Sequence, residues 1–233
     1  MEQVPLNPPK NFLPSGVPQF VGREDDLKTL DQDLQEAQTV AISAISGMGG
    51  VGKTELALQY ALAPLTAKQY TGGICWLNAR SLDVGIQIVN FARTYLKLQL
   101  PDGLELPDQV AYCWRFWHTS PTLLIKEGDR GQVLVVLDDV TKYEDVKRYL
   151  PTDARFKVLM TTRLQLGKPI KRLDLEVLTE GAALAMLRSY IGERVDNELE
   201  VAKKLCGELL GYLPLGLELV GRYLARKADL SFG

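Results

Sequence analysis

Gly47-Met48-Gly49-Gly50-Val51-Gly52-Lys53-Thr54 lies between an apolar run, Val40 to Ile45, and a segment of helical character, Glu55 to Ala63. Apolar strand, glycine turn and helix start form the context that a phosphate-binding loop requires. Four glycines in six positions leave little side-chain bulk, so the backbone can curl and aim its N–H groups inward. The helix that begins near Gly52 adds unpaired N–H donors and the positive end of its dipole. Lys53 is placed to reach the outer phosphates, and the Thr54 hydroxyl to ligate magnesium. Gly47, Gly49 and Gly52 also spell GxGxxG, the dinucleotide fingerprint. That reading needs an acid about 20 positions on, ending the next strand. The next strand-like run, Gly73 to Asn78, ends in Asn78-Ala79-Arg80, and Lys53-Thr54 would be unexplained. The stretch therefore points to a nucleoside triphosphate.

The second half of that signature is a continuous apolar strand, Gln132 to Leu137, ending in Asp138-Asp139. Asp138 is expected to hold magnesium through its water shell. Asp139 is expected to orient or deprotonate an attacking water. Lys157 to Thr162 reads as the neighbouring strand and ends in Arg163. Ligands of open α/β sheets sit at the carboxyl ends of strands, so its guanidinium is expected to face the γ-phosphate. No guanine-specifying NKxD occurs, which favours adenine.

Outward from this centre, residues 1–19 carry prolines at 5, 8, 9, 14 and 18 and read as an extended linker from something that preceded it. Residues 20–178 alternate strands with helices, as a parallel α/β sheet does. A first helix shows Leu27, Leu30, Leu34 and Ala37 on one face, and the helix after the glycine loop ends near Pro64. Ile86 to Leu96 and Val110 to Trp117 mark two more, with the tryptophans placed in the core by helical spacing. Arg172 to Leu178 is a weaker fifth strand. Residues 179–233 read as helices only: one through Leu184 and Ile191, one from an Asp196 N-cap to a stop at Gly211, and one starting at Pro214.

Composition narrows the function. The chain has 233 residues, 46% apolar and 24% charged, with a net charge of −2. The helical part holds 7 Lys or Arg against 8 Asp or Glu, so no basic face points to nucleic acid. No apolar run reaches 18 residues, and membrane partners are not expected. Cys75, Cys113 and Cys206 read as reduced core thiols of a cytoplasmic protein. His118, the lone histidine, is expected to pack among aromatic neighbours.

Taken together, five ordered motifs resemble the NB-ARC family of STAND nucleotide switches, over about residues 17 to 230. They are Val21-Gly22-Arg23-Glu24, the Gly47–Thr54 loop, Leu134 to Asp139, Thr161-Thr162-Arg163, and Gly211-Tyr212-Leu213-Pro214-Leu215. The resemblance implies a P-loop NTPase with a five-stranded parallel sheet in AAA-like order and a helical lid. It implies an ATP or ADP site with Mg2+, formed by Val21, Gly22, Arg23, Gly47–Thr54, Glu55, Pro214 and Leu215. Val21 and Arg23 would lie on the adenine and ribose side, and Pro214 would pack on the nucleotide from the lid. Slow hydrolysis through Lys53, Asp138, Asp139 and Arg163, with Thr54 and Asp138 at the metal, would set a closed ADP state against an ATP state that self-associates. In that family a winged-helix domain follows; here Gly233 precedes it. The rival readings are an oligomeric AAA+ catalytic ATPase and an ADP-holding scaffold that hydrolyses nothing.

Overall fold

A computed structural model describes residues 8–11, 17, 19–44, 49–80, 83–119 and 131–227. Its centre is a five-stranded parallel sheet in the order β2-β3-β4-β1-β5. The strands are β1 (Thr39–Ala44), β2 (Gly73–Asn78), β3 (Val133–Val140), β4 (Phe156–Thr162) and β5 (Lys171–Leu175). The middle strands are apolar on both faces because helices cover both. Leu134, Val136 and Leu159 face one core together with α1 (Glu24–Glu36) and α2 (Lys53–Leu62). Val133, Val135, Val158 and Met160 face the other, with α4 (Val84–Tyr95) and α5 (Leu106–Thr119).

Local chemistry sets the helix ends. Three acids, Glu24, Asp25 and Asp26, occupy the first turn of α1, where the dipole favours them. At its other end Lys157 Nζ donates to the carbonyls of Gln35 (3.3 Å) and Ala37 (3.1 Å), so a largely buried lysine serves the last turn. Ala37 is extended and ends the helix rather than extending its apolar face. Asp83 caps α4 by accepting from the N–H groups of Gly85 and Ile86. Trp114 and Trp117 are buried in α5, and their indole N–H groups donate to Tyr149 O (2.8 Å) and Gly72 O (3.0 Å). They are core residues, as their spacing indicates. The cysteines are free and buried; burial pushes the Cys113 and Cys206 thiols up to about 11, away from reactivity.

Several boundaries differ from the sequence reading. The helix after the loop, α2, ends at Leu62 as expected, and Pro64 then opens a further short helix, α3 (Pro64–Gln69), because proline lacks only an N–H that a first turn leaves unpaired anyway. β3 continues past Leu137 through both aspartates to Val140, and the short α6 (Tyr143–Lys147) follows it. β5 spans Lys171–Leu175, earlier than expected. His118 is not packed among aromatics alone: its Nδ1 lies 3.3 Å from an Asp153 carboxylate oxygen. Residues 9–11, expected in an extended linker, run along the edge of β2. Ile74 N–H donates to Pro9 O (2.9 Å), and Asn11 bonds both the N–H and the C=O of Trp76. An edge tolerates Pro9, since only its carbonyl is used.

After β5 come α7 (Glu180–Ile191), α8 (Arg194–Asn197), α9 (Leu199–Lys204) and α10 (Pro214–Arg226), with a π-helical turn at Leu205–Leu209. They share a separate core that includes Met186, Leu187, Cys206 and Leu217. The single helix expected from Asp196 is broken at Glu198. Asp196 is not its N-cap but lies inside α8, its carboxylate held by Arg188. Gly211 ends the segment as expected, with a left-handed φ of 55°. Among the described residues no helix is long and apolar enough to cross a membrane.

Candidate nucleotide site

A cleft with a cavity volume of about 320 Å3 opens where the carboxyl ends of β1, β3 and β4 meet the helical segment. Open parallel sheets bind ligands outside the carboxyl ends of their strands, where the strand order reverses. Gly47 and Met48 lie outside the described residues. From Gly49 onward the loop lines the cleft. Gly50 (φ 83°) and Gly52 (φ 96°) adopt backbone conformations that other residues rarely take. No side chain caps α2, whose first turn begins at Lys53. A helix N-terminus carries the positive end of the helix dipole, which favours an anion. Gly49 serves a different need, because a Cβ there would come within 3.2 Å of the Arg163 guanidinium. Arg163 thus lies against the loop. Burial, and then the Arg163 charge, hold the Lys53 ammonium below the ordinary lysine value, while Asp139 opposes them.

The two aspartates are handled differently. Asp138 Oδ1 accepts from Thr54 Oγ1 (2.7 Å) and Thr161 Oγ1 (2.6 Å). Thr161 Oγ1 in turn accepts from the Asp139 N–H (2.8 Å). Asp139 sits in the left-handed region (φ 59°), beside a register shift between Leu137 and Val140. In a regular strand successive side chains point to opposite faces. The bulge lets Asp138 reach Thr54 while Asp139 lines the cleft. Asp139 Oδ2 also pairs with Arg80 at 3.0 Å. Thr54 and Asp138 offer two hard oxygen donors side by side. That set fits magnesium, which keeps waters and takes phosphate oxygens as its remaining ligands.

The opposite end of the cleft is assembled from distant segments. Val21 packs on the helical core and Phe20 on the sheet core. Gly22 (φ 69°) lies so close to α7 that a Cβ would overlap Ala182. Arg23 lines the cleft but is buried, and its guanidinium is engaged by protein. Nη2 donates to Val51 O (3.0 Å) and Glu176 O (2.7 Å), and Nη1 pairs with Asp26 at 3.1 Å. From the helical side, Pro214 opens α10 and the Leu215 N–H donates to Gly50 O at 3.2 Å. Leu178 N–H donates to the carbonyl of Tyr212, a left-handed residue (φ 56°). Glu55 also borders the cleft.

The structure therefore brings together Val21, Arg23, Gly49 to Glu55, Asp139, Arg163, Pro214 and Leu215 around one cleft, with Asp138 reached through Thr54. Gly22 sits beside it. Sequence reasoning missed Thr161, Arg80 and Glu218. Thr161 stands in the quoted strand but gave no sign of bonding both aspartates. Arg80 registered only as the absence of an acid. Glu218 follows Pro214 by one helical turn, the only signal that it shares the cleft.

The NB-ARC domain model matches residues 23–196. The chain is 27% identical over 233 residues to Disease resistance RPP8-like protein 3 of Arabidopsis thaliana, covering 95% of this chain and 25% of that protein. It is 28% identical over 229 residues to Regulatory protein AfsR of Streptomyces griseus, covering 92% and 22%. The chain thus spans about a quarter of the length of these curated relatives. Among solved structures, a Walker-type ATPase of Pyrococcus abyssi superposes with a TM-score of 0.59 at 12% identity, covering 94% of this chain and 72% of that one. A STAND protein with a tetratricopeptide repeat sensor from Pyrococcus horikoshii gives 0.50 at 20% identity, covering 94% and 32%. Motif order, fold and family match agree: this chain belongs to the NB-ARC family and has the fold of P-loop NTPases.

Proposed function

We propose that the chain is an ATP- and ADP-binding switch with slow, magnesium-dependent hydrolysis. Residues 20–178 bind the nucleotide and 179–233 act as its lid. The observation that carries this reading is the bond from Leu215 N–H to Gly50 O. The loop that cradles the phosphates is joined by its backbone to the start of the lid helix, so a change at the phosphates bears on the lid.

In this reading Lys53 neutralises the outer phosphates, and Gly49 to Gly52 with the start of α2 supply N–H donors. Thr54 and Asp138 would hold Mg2+, which supplies charge neutralisation to the β- and γ-phosphates. Asp139 orients the attacking water and accepts its proton. Arg163 distinguishes a triphosphate from a diphosphate. Val21 and the apolar wall around Leu178 and Met186 take the base, and Pro214 closes on it. Arg23 acts indirectly, by holding the Val51 and Glu176 backbone in place. Relatives named as regulatory and disease-resistance proteins support a signalling role, in which the ATP state of a longer protein self-associates through this module, inside the cytoplasm.

Identifying the nucleotide released when the purified protein is denatured tests this, combined with single-turnover hydrolysis. Bound ADP with slow hydrolysis supports the switch. An empty site with fast, concentration-dependent turnover supports an oligomeric catalytic ATPase. Retained ADP with no hydrolysis of ATP supports a scaffold.

A further inference from the structure

We propose that Glu218 reads the ribose of the bound nucleotide, accepting its vicinal hydroxyls and selecting ribonucleotides over deoxyribonucleotides. The inference rests on the reading of the cleft as a nucleotide site. A triphosphate loop alone does not recognise a sugar. Dinucleotide folds add an acid after the second strand for that purpose; here Asn78, Ala79 and Arg80 occupy that place. The lid supplies an acid instead. Glu218 borders the cleft on α10, one turn after Pro214.

Its place along the cleft favours the sugar. The start of α10 is bonded to the phosphate loop through Leu215 and Gly50. One helical turn advances about 5.4 Å, the scale of the step from an inner phosphate to the ribose and short of the far edge of a base. Met186, on the neighbouring α7, also lines the cleft and is apolar.

The carboxylate is also prepared for the task. Arg222 holds only Oε1, by Nε (3.0 Å) and Nη2 (2.9 Å). The Arg222 guanidinium also lies over the Tyr190 ring, 5.9 Å from its centroid. Among the described residues no bond falls on Oε2. An ionised carboxylate only accepts, and two ribose hydroxyls only need acceptors, so the chemistry is complementary. Arg23, a charged side chain of the same cleft, already donates to protein carbonyls and could not accept from a hydroxyl.

The test measures binding of ADP, 2′-deoxy-ADP, 3′-deoxy-ADP and inosine diphosphate by calorimetry, with the wild-type chain, Glu218→Ala and Arg222→Gln. The wild type is expected to bind ADP roughly ten- to a hundredfold tighter than either deoxy analogue, as for hydrogen bonds to a charged group. Glu218→Ala should lower ADP affinity to the level of the analogues and bring the ratio to about one. Arg222→Gln should retain the preference, because the carboxylate remains. The proposal is overturned if the wild type does not discriminate, or if Glu218→Ala weakens all ligands equally with the preference intact. It is equally overturned if the variant loses its preference for ADP over inosine diphosphate instead, since Glu218 would then read the base. Failure of the wild type to bind any of the four would defeat the nucleotide reading itself, a result distinct from the others.

Discussion

On the proposed reading the cleft has a phosphate end and a nucleoside end, and the two are built on opposite plans. The phosphate end grows from adjacent strands of one sheet, and its side chains are fixed by one another: Thr54 and Thr161 on Asp138, Arg80 on Asp139. The nucleoside end is a junction of three segments far apart in sequence, residues 20–23, the link after β5 and the start of α10. Glycine contacts and backbone bonds hold it together. A sheet-borne site is preorganised before a ligand arrives, whereas a junction can open. On the proposed function, chemistry belongs to one end and conformational response to the other.

The sharpest break between the two would be Asp139→Asn. It should slow single-turnover hydrolysis by about 10²- to 10⁴-fold while ADP affinity stays unchanged, since Thr54 and Asp138 remain. A mutant that hydrolyses ATP at the unmutated rate would remove Asp139 from the chemistry.

Lys53→Met should cost about ten- to a hundredfold in affinity for both ADP and ATP by calorimetry, the worth of one charge-assisted contact. It should also raise the melting temperature of the empty protein. The sign follows from the depressed lysine pKa, with its value below 10.5 in the folded state. Between that value and 10.5 the unfolded chain binds the extra proton, so the stability of the empty protein rises with pH in that window. ADP affinity should fall over the same window as the ammonium is lost.

At the nucleoside end, Gly22→Ala should destabilise the fold by about 1–3 kcal/mol, because a methyl at φ 69° would meet Ala182. Denaturant unfolding measures it. No loss of stability would mean that residues 20–23 are not clamped to the lid.

The smallest effect is expected at Arg80. Its ion pair with Asp139 is partly exposed, and such pairs are worth about 1 kcal/mol or less. Arg80→Gln should raise single-turnover hydrolysis by no more than about fivefold, by releasing the carboxylate oxygen that takes the proton. A slower mutant would make Arg80 a positioning group for Asp139.

The same contrast explains what was legible in the sequence. The phosphate end is written in contiguous motifs, so Gly49 to Thr54, Asp138 and Arg163 could be placed without coordinates, and β2 spans Gly73–Asn78 as read. Asp139 was identified, but its left-handed backbone was not, because a bulge leaves no local signal in an apolar strand. Arg80 and Glu218 carry no motif; only strand order and lid packing bring them to the cleft. Pro9 was read as part of a linker and the helix opening at Pro64 was not read, although proline serves at a sheet edge and at a helix start, where its missing N–H is not required. The break at Glu198 was hidden by apolar spacing that continued across it.

The most direct test of lid coupling is hydrogen exchange at the Leu215 amide, whose N–H bonds Gly50 O across the junction. With ADP, exchange should slow at Leu215 and across Phe20–Arg23, as well as at the loop residues Gly49–Thr54. Slowing confined to the loop, with Leu215 exchanging as fast as in the empty protein, would contradict the account.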